Sequence, residues 1–225
     1  MVDCRANVCP DCPSAYAGLL GNLVDPRGGR CAFRCVSLAS RQPIPARWFG
    51  TYGLAVVRRG LLVRQRVDAY GAATAIDALG PGGATPLSEG GEVSGGGYAA
   101  DDALICLCPR RALRAAVEEA PPTASDVISL HASALERVER MAEARGRSTA
   151  LSRVASLVCA LADTLSPPRR LDLIPATLQQ RDLAALLAMR HESVCRALGA
   201  LEDRRALLRG DEGIRILERS MLESA

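Results

Sequence analysis

The chain has no lysine: all 28 of its basic residues are arginines. That absence excludes the lysine Schiff base and the phosphate-cradling loop that needs a Gly-Lys ending. Histidine is nearly missing too, with two in 225 residues. Neither His131 nor His191 has a nearby serine or cysteine with an acid to orient it, so a nucleophilic triad has no support. No apolar run reaches the length of a membrane span, and Met1 to Pro13 lacks the apolar centre of a signal peptide. These absences lead us to expect a cytoplasmic protein that is not an enzyme. The net charge of +3 is mild, and the length suits one large domain or two modest ones.

Cysteine, by contrast, is abundant. Five of the nine, Cys4, Cys9, Cys12, Cys31 and Cys35, crowd the first 35 residues, and Cys106 and Cys108 form a C-x-C pair. An odd count without a secretion signal argues against a disulfide framework. In a reducing cytosol, clustered thiols point to a metal or redox centre, because soft sulfur donors suit zinc and iron–sulfur clusters. Cys9-Pro-Asp-Cys12 has the spacing that lets two thiolates reach one centre. The C-x-C pair lies in Ala103-Leu-Ile-Cys-Leu-Cys, a strand pattern ended by Pro109. Both thiols then share one face, with Ile105 and Leu107 on the other. Ordinary core burial is the competing reading of that pair and the one adopted for Cys159. A thiol-disulfide redox protein is the alternative of another class. Its C-x-x-C should open a helix in a βαβ unit, whereas Cys9 to Cys12 falls in an irregular segment.

The C-terminal third is the most organised stretch. From Thr177 to Arg205 two apolar-periodic segments follow each other, Leu183, Leu186 and Leu187 in the first, and Val194, Leu198 and Leu201 in the second. Thr177 with Gln180 three positions on reads as a capping pattern for the first. His191, Glu192, Arg196 and Arg204 fall on the second segment's other face. Two helices with a tight joint match a helix-turn-helix, whose second helix enters the major groove. Gly210-Asp-Glu-Gly213 between two short apolar runs suggests a hairpin wing. A plain helical hairpin is the bland alternative. The wing, the exposed Glu-x-x-x-Arg and the arginine content favour DNA. Cys195 reads as a DNA-side or packing residue rather than a ligand.

These residues resemble the Crp/Fnr superfamily of bacterial transcription regulators. The match runs through Arg181-Asp182-Leu-Ala-Ala-Leu-Leu, Arg190-His-Glu-Ser-Val-Cys-Arg-Ala-Leu, Leu201-Glu202 and the wing's Ile214-Arg-Ile. The resemblance implies that Glu192 and Arg196 contact bases, within a reading set of Gln180, Arg190, His191, Glu192, Ser193 and Arg196. Cys195 stands where the Fnr-like branch has serine, and His191 precedes the glutamate, two departures from that branch's reading segment.

Upstream, Gly53 to Val67 reads as two β-rich runs around a turn, and Ala72 to Leu79 as another strand before Gly80-Pro-Gly-Gly83. Short strands with glycine punctuation indicate a small barrel or jelly roll. Val57-Arg-Arg-Gly-Leu-Leu-Val63 and the Leu79-Gly-Pro-Gly82 turn resemble the family's sensor β-roll. Ser88 to Gly97 lacks a period and reads as a flexible loop. After Pro121-Pro122 comes a long helix capped by Thr123 or Ser125. Its apolar stripe is Val127, Ile128, His131, Ala134, Leu135, Val138, Met141 and Ala142. In the family this helix joins a homodimer, which suits a palindromic site. His131 then reads as an interface residue, with a haem-binding variant as the alternative. Ser148 to Leu165 is a further amphipathic helix, and Ser166-Pro-Pro-Arg-Arg170 a link.

The expected fold is thus α+β: a cysteine-rich segment 1–35, a β-roll 36–122, a dimerisation helix 123–147 and a winged helix-turn-helix 148–225. Resemblance to Fnr-type oxygen sensors further implies a [4Fe–4S] cluster on three front cysteines and one late in the roll. Ile105-Cys106-Leu-Cys-Pro109 matches the family's Val-Cys-x-x-Pro and selects Cys106. Cys9 and Cys12 match its C-x-x-C, and Cys4 completes the set, with Cys31, Cys35 and Cys108 as alternates. Zinc or no metal are the other readings. Cyclic AMP is not expected, because Val67 to Pro109 contains no arginine to meet its phosphate and Gly91-Glu92 lacks the Arg-Ser that should follow. RNA polymerase is an expected partner of an activator.

Overall fold

The computed structural model describes residues 24–25, 30–87, 94–165 and 172–225. Cys4, Cys9, Cys12 and the 166–170 link lie outside the described residues.

The first half folds into antiparallel strands: β1 (Val24–Asp25), β2 (Arg30–Cys31), β3 (Arg34–Leu38), β4 (Tyr52–Arg59), β5 (Leu62–Val67), β6 (Ala73–Leu79), β7 (Ala84–Pro86), β8 (Ser94–Ala99) and β9 (Ala103–Pro109). A short helix α1 (Arg47–Thr51) precedes β4. Among the described residues β1 pairs only with β2, while the two larger sheets have the orders β3-β9-β4-β7 and β6-β5-β8. The two runs expected between Gly53 and Val67 are therefore β4 and β5, but they do not pair with each other. Their turn carries the chain from one sheet to the other. Gly60 makes that turn at φ 81°, and a Cβ there would lie 2.8 Å from Ala103 Cα, so any side chain would collide with backbone.

Alternation along β9 decides what each face does. Ile105 and Leu107 point between the sheets, into a core with Leu38, Val57, Leu62 and Leu79. Cys106 and Cys108 point the other way, among Phe33, Leu54, Val56, Ala116 and Leu130. The glycine-rich stretch is not a loop throughout, because Ser94 to Gly97 belong to β8 and pair with β5 from Arg64 to Val67. Ladder hydrogen bonds are made by the backbone, so a run without side-chain periodicity can still be a strand.

Helix α2 (Arg110–Glu119) follows β9 directly and was not expected from the sequence. The long helix α3 (Pro121–Gly146) starts on its two prolines, not on a Thr123 or Ser125 cap. Proline suits the first helical positions, whose N–H groups have no partner in the helix. Thr123 is buried inside the first turn. The expected apolar stripe divides. Of its members Ala134 and Met141 face inward, joined by Leu130 and Ala144 from outside it, whereas Ile128 (69% exposed) and Leu135 (59%) face solvent. Among the described residues no helix is long and apolar enough to cross a membrane.

Helix α4 (Ala150–Leu165) is buried along Val154, Leu157, Val158, Leu161 and Leu165. It is the centre of a core that runs from Val63, Ala75 and Ala78 of the roll to Leu183, Val194 and Leu201 of the C-terminal third. Leu161 is fully buried there. Leu161→Ala is expected to destabilise the chain by about 2–5 kcal/mol, from lost transfer energy plus the cavity left behind. Urea unfolding checks this, and a loss under about 1 kcal/mol would contradict so central a place.

Candidate nucleic-acid interface

Beyond α4 come β10 (Leu173–Pro175), α5 (Gln180–Leu187), α6 (His191–Asp203), β11 (Leu207–Gly210), β12 (Gly213–Ile216) and α7 (Arg219–Glu223). The cap of α5 is Gln179, with Asp182 three positions on accepting the Gln179 N–H at 2.8 Å. The Thr177–Gln180 cap expected from sequence is thus displaced by two residues. A carboxylate at the third helical position satisfies the N-cap amide better than the neutral Gln180 would, and it also meets the helix dipole. Helix α5 stops at Ala188, held in the left-handed region (φ 51°, ψ 43°) with its N–H turned back to the Ala184 and Ala185 carbonyls. Three residues later α6 begins. Leu183, Leu186 and Leu187 pack with Val194, Leu198 and Leu201 in one buried cluster, as their spacing indicates.

That packing turns the other side of α6 outward. Arg190, His191, Glu192 and Arg196 are exposed, while Ser193 and Gln180 are half-buried. Among the described residues neither Glu192 nor Arg196 is engaged in an ion pair, although they stand one turn apart. The N-terminal amides of α6 have no side-chain cap, so this end of the helix is open to an anion. Cys195 faces the joint. Its Sγ donates to Gln180 Oε1 at 2.7 Å and lies 3.6 Å from His191 Nε2, tying the start of α6 to the start of α5.

The wing forms at the expected place and gains a third strand that the sequence reading missed. β12 pairs with both β11 and β10. The missed signal is the short apolar run Leu173-Ile174-Pro175 just ahead of α5. Gly213 sits at φ 134°, where a Cβ would collide with the Ile174 carbonyl. Glu202 fastens the wing to α6. It accepts from the Arg209 backbone N–H at 2.9 Å and from its guanidinium at 2.8 and 2.6 Å. The backbone bond first, then the guanidinium, holds the Glu202 carboxyl below the usual carboxylate range.

Cys35, Cys106 and Cys108 group elsewhere, with Cys31 packed beside them. Cys35 and Cys106 are register partners on β3 and β9, with their sulfurs 3.2 Å apart. Cys108 shares their face. Burial, with a smaller contribution from Cys31, pushes its thiol up to about 12. Among the described residues no group of three or more His, Cys, Asp or Glu side chains is placed to hold a metal ion. Exposed His131 turns its Nδ1 back to the Val127 carbonyl at 2.8 Å.

Residues 152–225 match the model of the Crp-like helix-turn-helix domain family. FixK2 from Bradyrhizobium japonicum superposes with a TM-score of 0.69 at 21% identity, over 85% of this chain and 96% of that one. A CooA mutant from Carboxydothermus hydrogenoformans gives 0.66 at 16% identity, over 92% and 94%. A Crp/Fnr-family transcriptional regulator from Thermus thermophilus gives 0.55 at 22% identity, over 85% and 97%. A search of curated proteins finds no match. At these identities the structural likenesses establish the shared α+β architecture.

Proposed function

We propose that the chain is a sequence-specific DNA-binding transcription regulator, a reading supported by the match of residues 152–225 to the Crp-like helix-turn-helix domain model and by the fold shared with Crp/Fnr structures. The observation that carries this reading is the outward pair Glu192 and Arg196 on the first turns of α6, held by a buried joint and free of ion pairs among the described residues. A guanidinium bonds a guanine edge bidentately, and a carboxylate accepts from a cytosine amino group. Gln180, Arg190, His191 and Ser193 surround the pair and serve base edges and phosphates. Mobility shift with random-sequence duplexes tests the reading. Specific complexes support it, and their absence contradicts it.

The working unit in this reading is a homodimer on a palindromic site. Ile128, His131, Leu135 and Ala142 are exposed along one line of α3, at the spacing that lets two helices pair. Replacing Leu135 by glutamate is expected to shift the protein to monomers in sedimentation. Binding to a two-half-site operator should then fall by at least about 100-fold, because the second head no longer arrives at high effective concentration. A dimeric Leu135→Glu protein with unchanged affinity would place the interface elsewhere. The roll (36–122), dimerisation helix (123–147) and winged domain (148–225) would then act as sensor, coupler and reader. RNA polymerase is the further partner if the regulator activates.

For the signal, the same proposal gives the sulfur-rich face of β9 to a thiolate-bound centre. Cys106 would supply the roll's ligand and Cys4, Cys9 and Cys12 the remainder of a [4Fe–4S] set, with Cys31, Cys35 and Cys108 as alternates. What supports it is that Cys35, Cys106 and Cys108 share one face near Leu130 of α3, while the three front cysteines of the set lie outside the described residues. Such a cluster, when bound, is a site that oxygen or nitric oxide can attack. A dithiol reading without metal draws on the Cys35–Cys106 contact. Metal and acid-labile sulfide analysis of anaerobically purified protein separates these readings. Iron with sulfide supports the cluster, zinc or no metal contradicts it.

A further inference from the structure

Resting on the helix-turn-helix reading, we infer that Arg41 and Tyr98 of the roll are positioning residues for the DNA-reading head, acting through Asp182. Asp182 belongs to α5, yet it is only 1% exposed. Oδ1 accepts from Arg41 Nη1 at 2.7 Å and from the Tyr98 hydroxyl at 2.6 Å, while Oδ2 takes the Gln179 N–H. Capping the helix needs one carboxylate oxygen, so the other is left for the roll. Arg41 reaches further along the head, donating Nη2 to the Thr177 carbonyl at 3.3 Å, and its guanidinium lies 5.6 Å from the Tyr98 ring centroid. The loop after β3 holds Arg41 at φ 64°, a conformation that non-glycine residues seldom adopt and that persists only where the surroundings impose it.

A second clamp grips the other end of α5. Arg145 in the last turn of α3 donates Nε to the Leu186 carbonyl at 2.6 Å and Nη2 to the Ala75 carbonyl of β6. The first helix of the reader is thus held to the roll at both of its ends, and α6 is held to α5 through Cys195 and Gln180. In this latched state Glu192 and Arg196 remain open to solvent. The latch therefore does not cover the reading face. It sets its direction, and in a dimer it fixes the separation of two such faces.

The test uses the full-length protein with Arg41→Ala, Tyr98→Phe and Arg41→Lys. Hydrogen exchange is followed in peptides of α5, with α4 as the internal control. Loss of the latch should speed exchange in α5 about tenfold in Arg41→Ala and less in Tyr98→Phe, with α4 unchanged. Arg41→Lys, which keeps the charge but loses the fork, should fall between wild type and alanine. Binding is then measured on duplexes selected by the wild-type protein, with the half-site spacing altered by one or two base pairs. Wild type should discriminate against altered spacing by about tenfold and Arg41→Ala by less than about threefold, with single half-site affinity unchanged. Unaltered α5 exchange together with unaltered spacing discrimination would overturn the proposal, as would an equal loss on half-sites and on full operators. If the wild type selects no duplex, the DNA reading fails, and the exchange data alone still decide whether the latch exists.

Discussion

Arg196→Ala is expected to weaken operator binding by about 30-fold to 20,000-fold while leaving the unfolding midpoint unchanged. The range follows from about 1–3 kcal/mol of base discrimination for each bidentate guanidinium contact, taken twice for the two copies of α6 in the proposed dimer. Arg196 is exposed and makes no ion pair among the described residues, so its removal leaves no buried group without a partner. Specificity should relax at one base pair per half-site, while the salt dependence of binding changes little. An exposed arginine that meets phosphate behaves differently. Its removal should weaken all sequences about equally and lower the salt slope by about one unit per contact. A uniform loss for Arg196→Ala would therefore assign it to the backbone of the duplex rather than to base edges.

Asp77→Ala is expected to be the most damaging change in the roll, costing about 3–5 kcal/mol of stability. Asp77 is 1% exposed, on the inward end of β6. Arg64 donates to its two oxygens through Nε and Nη2, both at 2.6 Å, and Arg137 of α3 approaches Oδ2 at 3.5 Å. Burial, more than any other influence, lowers the Arg137 guanidinium's affinity for its proton, with Asp77 opposing that effect. Removing the carboxylate leaves two largely buried cations facing each other without their shared counter-charge. The same change loosens α3 from the roll, because Arg137 also donates to the Ala84 carbonyl at 2.7 Å. Urea unfolding measures the loss, and a cost near zero would mean that water or another anion already screens the pair.

What the sequence disclosed was decided by periodicity. Leu183, Leu186 and Leu187 followed by Val194, Leu198 and Leu201 describe two stripes that a tight joint brings into one buried cluster, so the joint and the outward Glu192 and Arg196 were legible. The alternation in β9 likewise placed Cys106 and Cys108 together, opposite Ile105 and Leu107. Helix α2 was legible but overlooked, since Ala112, Leu113, Ala116 and Val117 form its inward side at helical spacing. The latch was not legible. Arg41 and Tyr98 stand 141 and 84 positions from Asp182, and no local pattern announces a partner at that distance. Cys35 and Cys106, 71 apart, meet only because β3 pairs with β9. The glycines of β8 concealed a strand because their contribution is backbone hydrogen bonding. The start of α5 was misplaced by two residues because Thr177 imitates a cap that Asp182 supplies from inside the helix.

The division of labour also explains where arginine is used. Arg41, Arg64, Arg137 and Arg145 each tie two or more chain segments together through a fork of donors, a task for which a point-charged ammonium is less suited. Arg190, Arg196 and Arg204 remain exposed on the reader.

Exposing the full-length protein to a random duplex library and sequencing the bound fraction tests the account most directly. We expect an inverted repeat whose half-sites lie about one helical turn apart. The Glu192→Ala, Arg196→Ala double variant should lose the preference at the base pairs those side chains read. An unenriched pool, or the same consensus from wild type and double variant, would contradict it.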